Sequence, residues 1–126
     1  MSGRVLVVDD SAVIRELITV NLELEGHEVV GCGDGEEALQ LVPEVRPDVI
    51  TMDVVMPRLN GLDAAEALRA DPGTAHIPIV VVTARAGQAD LDRARSIGVE
   101  GYLTKPFEPA ELVSLVGRLV REGRPA

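Results

Sequence analysis

The sequence predicts an α/β fold in which helices cover both faces of a doubly wound sheet of five parallel strands. Two observations lead to this prediction. Five short apolar runs alternate strictly with segments whose apolar residues recur at helical spacing. Acidic residues also stand directly after two of these runs, as Asp9 and Asp10 do after one and Asp53 does after another. In doubly wound sheets, functional groups gather at the carboxyl ends of the strands.

The apolar runs are interpreted as strands because they are short and rich in β-branched residues. Runs that are apolar throughout are typical of strands buried on both faces, as in a parallel sheet. They lie at Val5–Val8, Glu28–Cys32, Val49–Met52, Ile79–Val82 and Gly101–Leu103.

The segments between the runs are predicted to be helices with recognisable ends. Ser11 is the expected N-cap of the first helix, and Gly26 is expected to stop it. Right-handed crossovers are expected to join consecutive strands. The other helix signals are an end at Pro43, an end near Asp71–Gly73, a C-cap at Gly98, and Pro109 in the first turn of the last helix.

Length and composition indicate one globular domain spanning 1–126, with its core in 4–120 and a tail or linker start at 121–126. Tyr102 and Phe107 are the only aromatic residues, so the core must be aliphatic. The net charge of -9 argues against direct nucleic-acid binding by this domain. The single Cys32 is expected to be a buried small hydrophobe. The sequence has neither a membrane-spanning run nor a signal-peptide pattern, so we expect a cytoplasmic protein.

The strand ends bring together a set of charged residues suited to phosphate chemistry. Asp9, Asp10 and Asp53 would converge with Lys105, the only lysine of the chain. Carboxylates a few ångströms apart raise each other's pKa, and a hard cation such as Mg²⁺ relieves that repulsion. Asp53 is the expected nucleophile or phosphoacceptor, and Lys105 would neutralise a bound phosphoryl group.

Two further residues follow the fourth strand at the same edge. Thr83 would donate its hydroxyl to a phosphoryl oxygen, and Ala84 would offer its backbone N–H and leave room. Taken singly, an aspartate or threonine after a strand is most often a cap or turn residue. The prediction therefore depends on several strand ends carrying suitable residues together.

From Arg4 to about Val120 the chain resembles the receiver domains of two-component response regulators, the family that includes chemotaxis regulators. The matching stretches are Val8–Ser11, Asp34–Leu39, Asp53–Pro57 with Asn60–Gly61, Pro78–Ala84 and Gly101–Phe107. The resemblance implies the flavodoxin-like strand order 2-1-3-4-5.

The resemblance also implies roles for individual residues. Asp53 would accept a phosphoryl group from the phosphohistidine of a sensor histidine kinase or a phosphotransfer protein. Asp10 would bind Mg²⁺ directly and Asp9 largely through water, with Asp53 and the backbone carbonyl of Val55 as the other protein ligands; Mn²⁺ is expected to substitute. Lys105 would pair with the phosphoryl oxygens.

A switch is implied as well. The Thr83 hydroxyl would move to the phosphoryl group, and the Tyr102 ring would turn into the space that Thr83 leaves. The Lys105–Pro106 bond is expected to be cis, which proline permits. The surface changed by the switch would comprise the fourth helix, the fifth strand and the fifth helix, and it would bind an output partner.

Two positions that vary within the family flank the site. Val55 and Arg85 stand where relatives tune the lifetime of the phosphoryl group. Because Val55 cannot orient a hydrolytic water, we expect a comparatively long-lived phosphorylated state. Arg85 would either screen the phosphoryl group or be a solvated loop charge.

Kinase specificity is expected on the first helix, at Ala12, Arg15, Glu16 and Thr19, and in the loop after Lys105. Gly101 and Leu115 replace the charged residues of one common receiver dimer, so a monomer or a weak phosphorylation-dependent dimer is expected. The chain is either a stand-alone regulator or the receiver of a larger one.

Two alternatives of other classes remain. A Mg²⁺-dependent, aspartate-based phosphohydrolase of the haloacid-dehalogenase type also uses a strand-end aspartate with threonine and lysine. That family places Asp-x-Asp after the first strand, whereas this chain has Asp9-Asp10-Ser11. The other alternative is a non-phosphorylated interaction domain in which the acidic cluster is unused.

Overall fold

The protein is described from a computed structural model, which covers residues 3–85 and 87–124. Strands and helices alternate along the chain, as the sequence predicts. They are β1 (Arg4–Val8), α1 (Ala12–Leu24), β2 (Glu28–Cys32), α2 (Gly35–Val45), β3 (Val49–Met52), α3 (Gly61–Ala70), β4 (Ile79–Thr83), α4 (Gln88–Ile97), β5 (Gly101–Thr104) and α5 (Pro109–Glu122).

The strands form one parallel sheet in the order β2-β1-β3-β4-β5, which confirms the predicted fold class. The chain moves outward from β1 in one direction to β2 and then returns to β3 on the other side. This reversal makes β1 and β3 the topological switch point of the sheet, where ligands of such folds bind. Val8 pairs with both Cys32 and Met52, so the carboxyl ends of β1, β2 and β3 are level.

The core consists of two aliphatic layers, one on each face of the sheet. Alternate residues of a strand point to opposite faces. Leu6 and Val8 therefore pack in one layer with residues of α2 and α3, whereas Val5 and Val7 pack in the other with residues of α1 and α5. Because both faces are covered, the strands are apolar throughout instead of alternating. Within 3–85 and 87–124, no helix is long and apolar enough to cross a membrane.

Most helix ends lie where their signals predict. The Ser11 hydroxyl accepts the Ile14 N–H at 3.3 Å, Gly26 adopts φ 90° just past α1, and Gly98 is a left-handed C-cap. Pro109 occupies the first turn of α5.

The predicted end of α2 at Pro43 is wrong, because Pro43 lies inside the helix and α2 continues to Val45. Proline removes one backbone donor, yet Val42 is buried in the core and holds this last turn against the sheet. The helix ends instead at Arg46, whose left-handed backbone (φ 51°) directs its N–H to the Val42 carbonyl at 2.9 Å.

Cys32 is a buried core residue at the end of β2, as predicted, and its burial predicts a pH dependence of stability. Burial, with Glu37 contributing, raises the pKa of the thiol from 9.0 to about 12. The folded state thus keeps the proton more tightly than the unfolded state, so stability should fall as pH rises from 9.0 towards about 12. The loss over this range should be on the order of a few kcal/mol.

We expect Cys32→Ala to remove this alkaline loss, although it costs some packing at neutral pH. Urea unfolding of wild type and Cys32→Ala is measured from pH 9.0 to about pH 12. The difference between their free energies of unfolding should become smaller as pH rises. A gap that stays constant with pH would contradict the assignment to Cys32.

Candidate functional site

Three strand ends bring together two carboxylates and one ammonium group. Asp9 follows β1, Asp53 follows β3, and Lys105 follows β5. Lys105 Nζ lies 2.8 Å from Asp9 Oδ2 and 3.2 Å from Asp53 Oδ2. Since β4 separates β5 from β3, the long lysine side chain crosses the end of β4 to reach both acids. This convergence was predicted from the sequence.

The same edge has an oxygen-rich pocket that fits a hard divalent cation. Asp9, Asp10 and Asp53 each offer a carboxylate oxygen, and these three oxygens lie within 4.8 Å of one another. Asp9 and Asp53 are buried, whereas Asp10 is exposed and opens the cluster to solvent. Carboxylate oxygens with room for water are the ligands that Mg²⁺ prefers in proteins.

The buried Asp9 and the half-buried Lys105 have shifted pKa values. Burial raises the pKa of Asp9, and the Asp53 charge adds to this; the hydrogen bonds from Lys105 and from the Ser11 N–H oppose it. Burial alone would lower the pKa of Lys105, but its hydrogen bond and attraction to Asp9 and its attraction to Asp53 outweigh burial and raise it. Lys105 therefore stays charged, and it is the only ammonium group beside the three carboxyl groups of the cluster.

Asp53 is held by its own loop. Its backbone N–H donates to Val8 O at 3.0 Å, and its Oδ1 accepts the Val54 N–H at 2.7 Å. The loop closes where the Gly61 N–H donates to Val54 O at 2.9 Å, and the Asn60 side chain caps α3. One carboxylate oxygen of Asp53 is thus fixed by the backbone, and the other faces Lys105.

Thr83 ends β4 next to this cluster. Its carbonyl accepts the Lys105 N–H at 2.8 Å, and its buried hydroxyl oxygen accepts the Arg85 N–H at 3.1 Å. Ala84 follows as an exposed residue, so the edge beside Thr83 is open.

Tyr102 and Arg85 are joined on the outer side of Thr83. The hydroxyl of the half-buried Tyr102 donates to the Arg85 carbonyl at 2.7 Å. The Arg85 side chain pairs with Asp90 and has no ion pair with the acidic cluster among the described residues. Burial raises the pKa of the Tyr102 phenol, and the nearby Asp90 charge adds to this.

The remaining predicted residues border the site. The Val55 side chain is about half exposed and follows Asp53 by two positions. The Lys105–Pro106 peptide bond is cis.

Sequence reasoning missed two arginine contacts. Arg15 was expected on a partner surface, yet it is half-buried and donates through Nη1 to the Asp9 carbonyl at 2.7 Å. The Arg85–Asp90 pair was not predicted either. One feature of the sequence could have indicated the contact between Arg15 and Asp9: Arg15 lies in the first turns of α1, a few residues after Asp9.

Comparison with known proteins agrees with this geometry. A family model described as the response regulator receiver domain matches residues 5–117. The DNA-binding response regulator MtrA of Mycolicibacterium paratuberculosis is 41% identical over 121 residues, which are 96% of this chain and 52% of MtrA. The chain thus spans about half the length of the curated relatives it matches.

Two solved structures share this fold and match nearly the whole chain. The chemotaxis protein CheY4 of Vibrio cholerae is 34% identical with a TM-score of 0.86, over 94% of this chain and 98% of that one. The receiver domain of a sensor histidine kinase from Pseudomonas aeruginosa PAO1 is 32% identical with a TM-score of 0.87, over 97% and 100%, and its active-site cleft holds a magnesium ion. The chain therefore belongs to the response regulator receiver family and is a receiver domain of two-component signalling.

Proposed function

We propose that Asp53 is the phosphoacceptor and that the donor is the phosphohistidine of a sensor histidine kinase or a phosphotransfer protein. The observation that carries this proposal is the position of the buried Asp53 carboxylate, which lies in the acidic cluster and 3.2 Å from Lys105 Nζ. A carboxylate that is partly neutralised and fixed by its loop suits in-line attack on phosphorus.

The covalent step exchanges one bond for another. Oδ1 accepts a backbone N–H, that of Val54, whereas Oδ2 accepts from the ammonium group of Lys105, a side chain that can transfer to a phosphoryl oxygen. We therefore assign Oδ2 as the attacking atom. Its electron pair forms the new O–P bond while the N–P bond of the phosphohistidine breaks. The imidazole leaves with that electron pair and is protonated from solvent. The product on this chain is an aspartyl phosphate, and no oxidant or reductant is involved.

Charge neutralisation supplies most of the catalysis in this scheme. Asp9, Asp10, Asp53 and the Val55 carbonyl would hold Mg²⁺, or Mn²⁺ in its place. When bound, the ion adds positive charge beside the carboxylates and the phosphoryl oxygens. Lys105 already contacts Asp9 and Asp53 and would pair with a phosphoryl oxygen. The Thr83 hydroxyl and the Ala84 N–H donate to the remaining oxygens.

Signal output follows from Thr83 and Tyr102. Thr83 leaves its resting hydrogen bond to reach the phosphoryl group, and Tyr102 fills the space behind it. The surface formed by α4, β5 and α5 changes and binds the output partner. The net charge of -9 supports a partner other than nucleic acid for this domain, so any DNA contact would belong to another part of a longer protein. We propose a monomer, or a weak dimer that forms on phosphorylation.

The test is intact-protein mass spectrometry after incubation with acetyl phosphate. We expect a single phosphoryl adduct that forms with Mg²⁺, is absent with EDTA, and is removed by hydroxylamine, which cleaves acyl phosphates but not phosphoserine or phosphothreonine. Fragmentation should map the adduct to Asp53.

Other outcomes would favour the alternatives. No adduct, together with no heat of Mg²⁺ binding in calorimetry, would contradict the proposal and favour a non-phosphorylated interaction domain. Steady turnover of small phosphate esters would favour the phosphohydrolase.

A further inference from the structure

Arg15 reaches from α1 back to the turn that carries two of the proposed metal ligands, Asp9 and Asp10. Its Nη1 donates to the Asp9 carbonyl at 2.7 Å, although Arg15 lies six residues further along the chain. Within residues 3–85 and 87–124, this carbonyl accepts no other hydrogen bond. A single side chain therefore holds the carbonyl group of the turn in place.

The Arg15 side chain lies along a surface without side chains at the end of β2. A Cβ at Gly31 would lie 3.5 Å from Arg15 Cδ, and a Cβ at Gly33 would lie 3.6 Å from Arg15 Nη1. Residues two positions apart in a strand point to the same face, so the two glycines leave room on one side of the chain. Arg15 is half-buried there. Its guanidinium is thus better positioned than that of an arginine extending into solvent.

Holding the Asp9 carbonyl orients two ligands at once. This carbonyl and the Asp10 N–H belong to one planar peptide unit, and the orientation of that plane affects where both side chains leave the backbone. The Asp9 carboxylate has further support, because Oδ1 accepts the Ser11 N–H at 2.9 Å and Oδ2 accepts from Lys105 at 2.8 Å. Asp10 is exposed, so the direction of its carboxylate depends mainly on the backbone.

We propose that Arg15 is a positioning residue for the Mg²⁺ site and acts by holding the peptide plane between Asp9 and Asp10. This proposal rests on the proposed function, because it concerns the same metal site. Groups that orient metal ligands without touching the metal change metal affinity by about 10–100-fold when they are removed. Arg15 acts through the shared backbone of two ligands, so its loss should weaken Mg²⁺ binding by about tenfold.

A role through charge alone would have the opposite sign. The Arg15 guanidinium bonds to a neutral carbonyl, so this contact leaves its positive charge uncancelled near a cation site. Acting only by repulsion, Arg15 would oppose Mg²⁺ binding, and its removal would strengthen binding. Salt separates the two effects, because the Debye length falls from about 10 Å at about 0.1 M to about 3 Å at about 1 M ionic strength.

The test is calorimetric titration of wild type and Arg15→Gln with Mg²⁺ in about 0.1 M and about 1 M KCl. Glutamine removes the charge, and its side chain is shorter than that of arginine. At about 1 M KCl we expect the dissociation constant of Arg15→Gln to be about tenfold above that of wild type. At about 0.1 M the ratio should be smaller, because the lost repulsion offsets part of the effect. An equal or lower dissociation constant at high salt would overturn the proposal.

Arg4→Gln is the matched control. Arg4 begins β1, at the end of that strand away from Asp9, and its Nη1 also donates to a backbone carbonyl, that of Val45 at 2.8 Å. Its replacement removes the same charge and the same kind of hydrogen bond, so the Mg²⁺ dissociation constant at high salt should stay at the wild-type value. Urea unfolding of all three proteins measures the effects on stability. Two variants that lose stability but bind Mg²⁺ as wild type does would overturn the proposal, since the role of Arg15 would then be structural only.

A measurement without metal separates failure of this proposal from failure of the proposed function. If wild type binds no Mg²⁺, the proposed function fails, and amide exchange decides whether Arg15 holds the turn. The Ser11 N–H donates to Asp9 Oδ1 and depends on the same peptide plane. It should exchange faster in Arg15→Gln than in wild type and Arg4→Gln. Equal exchange in all three proteins would mean that Arg15 does not hold the turn.

Discussion

Replacing Asp53 with asparagine is expected to abolish the phosphoryl adduct completely and leave the fold intact. An amide oxygen is a much weaker nucleophile than a carboxylate and would not give a stable acyl phosphate. Asparagine has the same shape and can still accept the Val54 N–H that holds Oδ1 at 2.7 Å. The substitution also removes one of three mutually repelling carboxylates. Intact mass after treatment with acetyl phosphate and Mg²⁺ checks the first expectation, and circular dichroism checks the second.

Asp34→Asn is the matched control. Asp34 also follows a strand, β2, but it lies outside the acidic cluster and caps α2 by accepting the Glu37 N–H at 2.7 Å. Asparagine caps helices as well as aspartate does, so this variant should be phosphorylated normally. If Asp53→Asn still gained the adduct, the phosphoacceptor would be another residue, and fragmentation would identify it.

The position of this site could be predicted from sequence because it depends on strand ends alone. Once the apolar runs are strands of one parallel sheet, residues just after them must meet at the same edge. The register confirms this, since Val8 and Met52 pair directly and Asp9 and Asp53 follow them. The same argument predicts the positions of Thr83, at the end of β4, and Lys105, just after β5.

The arginine contacts could not be predicted in this way. Periodicity shows which face of a helix is buried, but it does not show where a long polar side chain ends. Arg69, for example, donates to the carbonyls of Ala75, Ile77 and Gly98 and pairs with Glu100 at 2.7 Å. These partners come from loops that become neighbours only when the sheet has formed. Arg85 and Asp90 are close in the chain, but the sequence of the polar helix α4 contains little that fixes the position of that helix or of the Arg85 side chain.

Gly61→Ala is expected to be strongly destabilising, because the backbone beside the phosphoacceptor leaves no room for a side chain. A Cβ at Gly61 would lie 1.8 Å from the Asp53 carbonyl oxygen and 2.8 Å from its carbonyl carbon. Neither backbone segment can yield freely, since Asp53 is tied to Val8 and Gly61 to Val54. We expect a loss of about 3 kcal/mol or more in the free energy of unfolding. Phosphorylation should also slow, because any relief of the clash displaces Asp53.

Gly117→Ala tests whether this effect is specific to the site. Gly117 lies inside α5, where alanine is the better helix former, and a Cβ there would meet only the flexible end of Arg121 at 3.3 Å. This second variant should therefore gain about 0.5–1 kcal/mol. Chemical denaturation of both variants beside wild type measures the two changes, which should have opposite signs. A Gly61→Ala protein as stable as wild type would mean that the loop after Asp53 can shift at little cost. The Asp53 carboxylate would then not be held in place by its backbone, and the preorganisation on which the proposed phosphoryl transfer depends would be lost.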